Sequence, residues 1–269
     1  MIELNTNIVL QSTDDSFFLQ FLRARKFNNS QAHELYENYF INVRKYPKWH
    51  ADDKKIIKKM MQTIDRGVIY PLSQRDAEGR RIVFTHMGKL DPSIDNPESV
   101  FSTIFEVFTH LTEDPISQVT GFVTVLDFTG FTFKHMSCVS LADTAILASN
   151  LINSVTGRFK CIYILNLPSF ARVLLDVFKM ALSDKLKKRM FIVKDMDEFK
   201  SKYFDEKLLP KELGGVTPES EMVKEFQEII KQNKKVRQQI YDTEFDANMI
   251  VRSKKEEIGT GSFRKLEID

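Results

Sequence analysis

Asp127 closes the apolar run GFVTVLDF (121–128), a position where an α/β enzyme can hold a catalytic carboxylate. Acid–base work needs a partner within hydrogen-bond reach, and the following Phe128, Thr129, Gly130 and Phe131 offer no base. The histidines are His33, His50, His86, His110 and His135. No two lie within five residues of each other, so local metal-ligand spacing is lacking. No Rossmann glycine fingerprint, Walker phosphate loop or Gly-x-Ser-x-Gly elbow is present. Gly259–Thr260–Gly261 lies in the tail, away from any strand-to-helix turn. A triad assembled from distant segments leaves no trace in local spacing, but the expectation is a protein that is not an enzyme and holds no metal or cofactor.

The stretch FARVLLDVFKMALSDKLKKR (170–189) points to a different chemistry. Phe170, Val173, Leu174, Val177, Phe178 and Ala181 draw one apolar stripe along a helix, with Arg172, Asp176 and Lys179 opposite. Leu175, Met180 and Leu182 widen the stripe, and Lys185, Lys187, Lys188 and Arg189 follow it directly. Two readings stand. One is an ordinary helix packed on a sheet with a wet basic end. The other is a movable cover over an apolar cavity, set beside a surface that meets anions.

The elements around it read as a helical entry module followed by an α/β body. Thr13 or Asp14 can cap a helix containing SFFLQFLRARKF, Asn28 or Asn29 can start a second that stops near Pro47, and a third ends before Gly67. From Gly79 the texture changes. Strands are expected at 80–86, 121–128, 160–167 and 189–194, with helices from Asn96–Pro97 through Leu111, across 137–153 and from 170. Apolar runs alternating with helices imply a mostly parallel sheet covered by helices. Pro210 and Gly214–Gly215 end this block, and a charged helix at 219–240 and a polar tail at 241–269 complete the chain.

Composition sets bounds. With 269 residues and 42% apolar content the chain can bury a large core, and 22 Phe and 10 Met suit either a core or an adaptable apolar cavity. A net charge of +2 gives no global field for nucleic acid, so any anion-binding surface is local. Cys138 and Cys161 read as buried free thiols of an intracellular protein. The sequence contains no stretch of eighteen apolar residues, so a membrane contact would be a visit rather than a span. Basic groups at Arg23–Lys26 read as structural, with membrane contact as the alternative, Lys54, Lys55, Lys58 and Lys59 read equally as a solvated helix face or a supplement to membrane docking, and Lys231, Lys234, Lys235 and Arg237 suit a helix C-terminus.

Several segments, in this order and spacing, resemble the CRAL-TRIO or Sec14-like family: TDDSFFLQFLRARKF (13–27), RDAEGRRIVF (75–84), LDFTGF (126–131), FKCIYILNLPSF (159–170), LSDKLKKRMFI (182–192) and LLPKELGG (208–215). The pattern is most similar to the alpha-tocopherol transfer protein and cellular retinaldehyde-binding group, and GSFRKLEID (261–269) resembles the tail of insect members. The family carries more helical sequence before the Phe-Leu-Arg-Ala-Arg segment than stands here.

The resemblance implies an α/β lipid-binding domain at 75–218 with a mobile lid helix at 170–182, a helical N-terminal module at 1–74, and a C-terminal helix and wrapping tail at 219–269. Pocket walls are expected from Phe122, Leu126, Phe128 and Phe131, Leu126 because it matches a ligand-facing family position. Tyr163 and Leu165 are candidates on the next strand, their side left open by its alternation, and Phe170, Val173, Leu174, Val177 and Phe178 are candidates on the lid. Plain core packing competes with each. Ser137, Ser140 and Tyr163 are candidates to bond a ligand's polar head. Lys185 and Lys187 match lysines that contact phosphoinositides, and Arg189 extends them. The function implied is a monomeric cytoplasmic carrier of a small lipid such as a tocopherol, retinoid or carotenoid, associating transiently with anionic intracellular membranes. Phosphatidylinositol transfer and a lipid-regulated protein-interaction module are the alternatives.

Overall fold

The four apolar runs form the parallel part of a five-stranded sheet in a computed structural model of the chain, which describes residues 8–9, 15–46, 49, 54–233 and 244–245. The strands are β2 (Ile69–Arg75), β3 (Arg81–His86), β4 (Phe122–Asp127), β5 (Phe159–Leu165) and β6 (Met190–Val193), side by side in that order. β3 to β6 are parallel, and β2 pairs antiparallel with β3. β2 was not expected as a strand. Its Pro71 cannot donate to a ladder, which an edge position tolerates. The sheet thus takes in residues before 75 that the sequence reading gave to the helical module. A further antiparallel pair joins β1 (Ile8–Val9) to β7 (Glu244–Phe245).

The helices are α1 (Asp15–Ala24), α2 (Asn29–Lys45), α3 (Lys54–Asp65), α4 (Pro97–Thr112), α5 (Pro115–Thr120), α6 (Leu141–Asn153), α7 (Arg172–Met180), α8 (Asp184–Lys187), α9 (Met196–Lys202) and α10 (Glu219–Gln232). Helices α2, α4, α5, α6 and α9 start after short polar residues whose side chains accept from orphan N–H groups. Asn28 accepts from Gln31 N at 3.0 Å to cap α2. Asn96 and Ser99 cap α4 reciprocally, with Pro97 in its first turn. Thr13 and Asp14, the expected caps of α1, lie outside the described residues, as do Lys234, Lys235, Arg237 and the tail 261–269.

α1 and α2 form their own aromatic core. Phe21 meets Tyr36 edge-on with centroids 5.2 Å apart, and Tyr36 meets Phe40 at 5.1 Å. The module docks on the body through buried polar contacts: Thr156 Oγ1 donates to Gln20 Oε1 at 2.8 Å, and Arg23 donates to Gln118 Oε1 at 2.6 Å. Arg23 therefore serves structure.

One face of the sheet is closely filled. Tyr163 of β5 packs on Phe199 of α9 and on Phe191, at 5.1 and 5.3 Å, and Met222, Val223 and Phe226 of α10 are buried. The start of α10 is fixed by Glu219, which accepts from Tyr70 Oη at 3.2 Å, pairs with Lys89 and lies 3.2 Å from His86 Nε2. Burial alone would raise the Glu219 carboxyl, but hydrogen bonds from His86 and Lys89 outweigh it and hold the pKa at about 2. Beside this pin, a Cβ at Gly88 would overlap the Thr129 carbonyl, so the turn after β3 needs glycine.

Because the folded-state pKa is depressed, Glu219 stabilises the fold fully above its ordinary value of 4.5, and that contribution disappears as pH falls towards about 2. Chemical denaturation across this window should show an acid-dependent loss in the wild type. Glu219→Gln should be less stable at neutral pH and should show a shallower loss. Equal slopes for the two proteins would remove Glu219 from the latch.

Candidate functional site

The opposite face of the sheet is not filled. Alternation sends Val83 and Thr85 of β3, Thr124 and Leu126 of β4, and Ile162 and Ile164 of β5 to this side. Above them lie Val100, Phe101, Thr103, Ile104 and Phe108 of α4, Thr144, Leu147 and Leu151 of α6, and Leu174, Leu175 and Phe178 of α7. Between floor and helices is a cavity of about 170 Å³. No lining side chain is ionisable among the described residues, and its polar members are threonines.

Of the residues expected to wall a pocket, Leu126, Leu174 and Phe178 line this cavity. The others stand elsewhere, for identifiable reasons. Phe122 shares the face of Leu126 but is fully buried behind the lining, edge-on to Phe108 at 5.4 Å. Phe128 and Phe131 follow the end of β4 and pack on each other at 5.2 Å. Tyr163 and Leu165 occupy the filled face. Phe170, Val173 and Val177 turn outward or sideways on the lid segment, with Phe170 and Val173 exposed. Ser140 caps α6, accepting from Asp143 N at 3.0 Å, and exposed Ser137 donates to Lys134 O at 2.9 Å. Neither reaches the cavity. Val100, Phe101, Ile104 and Phe108 were missed as lining; the amphipathic pattern of α4 marked a buried face without separating wall from core.

The lid expected at 170–182 holds the helix α7, and a second short helix, α8, forms in the basic stretch that follows it. α7 ends at Met180, and α8 contributes Leu186 to the cavity wall while Lys185 and Lys187 point to solvent. The greasy and basic halves of the 170–189 stretch are thus joined mechanically: one turn of helix is both cavity wall and surface charge. The outer side of the lid mixes exposed Arg172 and Asp176 with apolar side chains. Met180 is 83% exposed, and Phe133, 75% exposed, lies edge-on to Phe170 at 5.9 Å.

A group of cations lies at the N-terminal ends of the parallel strands, beside α8. Burial lowers the pKa of the Lys160 ammonium, and the charges of Arg158, Arg189, Arg80 and Lys26 lower it further. Arg80 is paired with Asp76 and Glu78. Arg158 and Arg189 instead donate to carbonyls, of Gln118 at 2.9 Å and Phe159 at 2.7 Å, which orients them without neutralising them. Such a cluster favours an anion that relieves its self-repulsion. Arg189 was expected here; Lys160 and Arg158 were not. Lys160 sits at a β-bulge, where Phe122 pairs with Phe159 but Val123 pairs with Cys161. The extra residue turns Lys160 away from the cavity, and a bulge has no signal in hydrophobic alternation.

Residues 65–215 match the CRAL/TRIO domain, and residues 3–38 match the CRAL/TRIO N-terminal domain. The chain belongs to the CRAL/TRIO family. It is 30% identical to clavesin-1 of Rattus norvegicus over 226 residues, which cover 82% of this chain and 63% of the relative. It is equally 30% identical to clavesin-2 of Homo sapiens over 226 residues, covering 82% of this chain and 68% of that one. This chain therefore aligns with less than two thirds of clavesin-1. The crystal structure of Sfh5 superposes with a TM-score of 0.52 over 77% of this chain and 74% of that one, at 12% identity, a likeness of fold. Among the described residues no group of His, Cys, Asp and Glu can hold a metal ion, and no helix is long and apolar enough to cross a membrane.

The two faces of the sheet make different predictions for substitution. Leu126→Trp adds bulk to the cavity floor and should abolish binding of the neutral apolar fluorophore diphenylhexatriene, at a cost to stability of about 1–3 kcal/mol. Leu165→Val, on the filled face, should cost about 1 kcal/mol and leave binding unchanged. Fluorescence titration and urea denaturation on the same samples check both. Retained binding in Leu126→Trp would take the cavity out of the ligand site.

Proposed function

We propose that this protein is a carrier that lifts a small apolar lipid from one membrane, shields it in the cavity beneath α7 and releases it at another. The observation that carries this reading is the cavity itself: an apolar space with no ionisable lining, covered on one side by a short helix that exposes apolar as well as charged side chains. An ordinary core is packed without such a space. Each methylene moved from water into it contributes roughly 0.8 kcal/mol, enough to make a chain-bearing lipid leave a membrane for the protein. Nothing in the site suggests bond-making chemistry, so transport rather than catalysis is the reading.

Size sets how the carrier must work. A cavity of roughly 150 Å³ accepts a benzene ring, and this one measures about 170 Å³. A ligand with a ring and a chain, as in tocopherols, retinoids or carotenoids, therefore requires α6 and α7 to move outward. Phosphatidylinositol held with its headgroup inside is disfavoured, because an ionised phosphate would find no lining cation.

We assign membrane docking to the cation group and the outer lid. Lys185, Lys187, Arg158, Lys160 and Arg189 would meet anionic headgroups, phosphoinositides among them, while Phe133, Phe170, Val173 and Met180 enter the interface. This makes the protein a transient visitor to intracellular membranes from the cytoplasm. The resemblance to the tocopherol transfer group supports a neutral ligand, and native mass spectrometry of protein purified from its own cells would name it.

Transfer kinetics test the docking assignment. The triple variant Lys160→Glu, Lys185→Glu, Lys187→Glu should slow lipid delivery to phosphoinositide-containing vesicles by at least about ten-fold at low salt. Delivery to neutral vesicles and affinity for the ligand should hardly change. High salt should narrow the gap between wild type and variant, since exposed charges are screened. Equal delivery to charged and neutral vesicles by both proteins would leave these lysines as a solvated rim.

A further inference from the structure

The short helix α5 is built inside out. A surface helix ordinarily buries its apolar side chains and shows its polar ones. Here Ser117 and Gln118 are buried, whereas Ile116 and Val119 are each 55% exposed, with exposed Pro115 beside them. Ile116 and Val119 stand three residues apart and share one face. The polar side fastens the helix to the body. Ser117 Oγ donates to Asp114 Oδ2 at 2.7 Å and accepts from Arg75 Nη2 at 3.0 Å. Gln118 Nε2 donates to Thr112 O at 2.8 Å, and Gln118 Oε1 takes the bond from Arg23 of α1. The two aliphatic side chains are thus held outward on a fixed base.

The helix that packs on α5 presents a further ring. Phe27, just past the end of α1, is 60% exposed, and it and Lys26 both have positive φ, 63° and 52°. A bulky residue enters that region only at a cost. Cations border the same corner. Arg158 donates to the carbonyls of Gln118 and Val119, which puts its guanidinium at the C-terminal end of α5. The stem of Lys160 runs past Gly121, where an added Cβ would lie 3.1 Å from its Cγ and Cε. Lys26 is near enough for its charge to act on Lys160. Single exposed apolar residues are ordinary, but these are gathered, on a helix of reversed polarity. Protruding apolar side chains beside Lys and Arg match the interface of an anionic bilayer: the aliphatic and aromatic groups enter the acyl boundary and the cations stay at the headgroups.

We infer that the outer face of α5, together with Phe27, is a second membrane anchor, which inserts Ile116, Val119 and Phe27 into an anionic bilayer while Lys26, Arg158 and Lys160 meet its headgroups. This rests on the docking assignment above and extends it to the N-terminal module. The cation group then has an apolar anchor on each side: α5 borders Arg158 and Lys160, and the lid runs through α8 into Arg189. Charge alone leaves a docked protein free to turn on the surface, and contacts on both sides of the cations fix its orientation.

The test uses the full chain and vesicles of phosphatidylcholine with or without phosphatidylserine, read by co-sedimentation and fluorescence. The chain has one tryptophan, the buried Trp49, so Val119→Trp adds a reporter on the α5 face. Its emission should shift to the blue on anionic vesicles and be quenched by brominated acyl chains. Ile116→Ser with Val119→Ser should weaken binding to anionic vesicles by at least about ten-fold, the loss of two partly inserted aliphatic groups. Phe27→Asn should weaken it as well, yet leave stability unchanged or raised, since asparagine tolerates positive φ. Diphenylhexatriene binding in solution should stay the same in every variant, because none of these residues lines the cavity. If the wild type binds anionic vesicles and the serine variant binds as tightly, or the introduced indole stays in water, the α5 anchor is overturned, the docking assignment stands and the face is left to a protein partner. If the wild type does not bind anionic vesicles, the docking assignment falls together with the anchor. Urea denaturation checks each fold, and the Val119→Trp signal decides if the serine variant does not fold.

Discussion

In β3, β4 and β5 every second side chain is committed to one face, because the ladders lock neighbouring strands in register. Val83, Thr124 and Ile162 stand in one row across the sheet, and Thr85, Leu126 and Ile164 in the next. A slip of one residue would bring Phe84, Val125 and Tyr163 under the lid, replacing a floor of modest side chains by two rings. The cavity exists because the larger rings face α9 and α10. That filled side holds the register, so its packing indirectly sets the shape of the cavity that lies across the sheet.

The bulge in β5 extends the same constraint to the surface. By absorbing Lys160 it keeps Phe159 and Ile162 on the cavity side although they are three residues apart. Without it, either Phe159 would leave the wall or the cation would enter an apolar space, where an unpaired charge is strongly disfavoured. One irregularity therefore completes the cavity end and supplies a member of the surface cluster. Arg189 closes the arrangement by donating to Phe159 O, tying the segment after α8 to the start of β5.

The architecture was legible in the sequence: the apolar runs became β3 to β6, and polar caps before apolar helices marked α2 and α4. The edge strand β2 was not, since Pro71, Ser73 and Arg75 interrupt its pattern. At the site, the lid pattern predicted inward positions correctly only for Leu174 and Phe178, because its stripe was wide enough to fit two orientations. Phe128 and Phe131 looked like walls because aromatic residues beside a strand end suit cavities and cores alike. Leu126 stood out through resemblance, and the register then gave it a physical reason.

In the proposed carrier α7 would have to be both a seal and a door, and its composition balances the two. Exposing Leu174, Leu175 and Phe178 to water would cost roughly 5–9 kcal/mol, at about 1.5–3 kcal/mol for each side chain. On that basis the open state would be on the order of one molecule in a few thousand to one in a few million in solution, which would keep a bound lipid enclosed in the proposed carrier. At a bilayer the inner residues enter an apolar medium, and most of this cost vanishes. Val173 and Met180, already exposed in the closed form, let the lid begin to insert before it opens. If α8 moved with the lid, Leu186 would leave the wall and the cations on that turn would move with it. Attraction of those cations to anionic headgroups acts on the closed and open states alike unless the motion brings them nearer the surface. Only the part of the attraction that grows on opening shifts the equilibrium. The physical link between Leu186 and its flanking lysines would, in the proposed carrier, let surface charge bias the door as well as the docking.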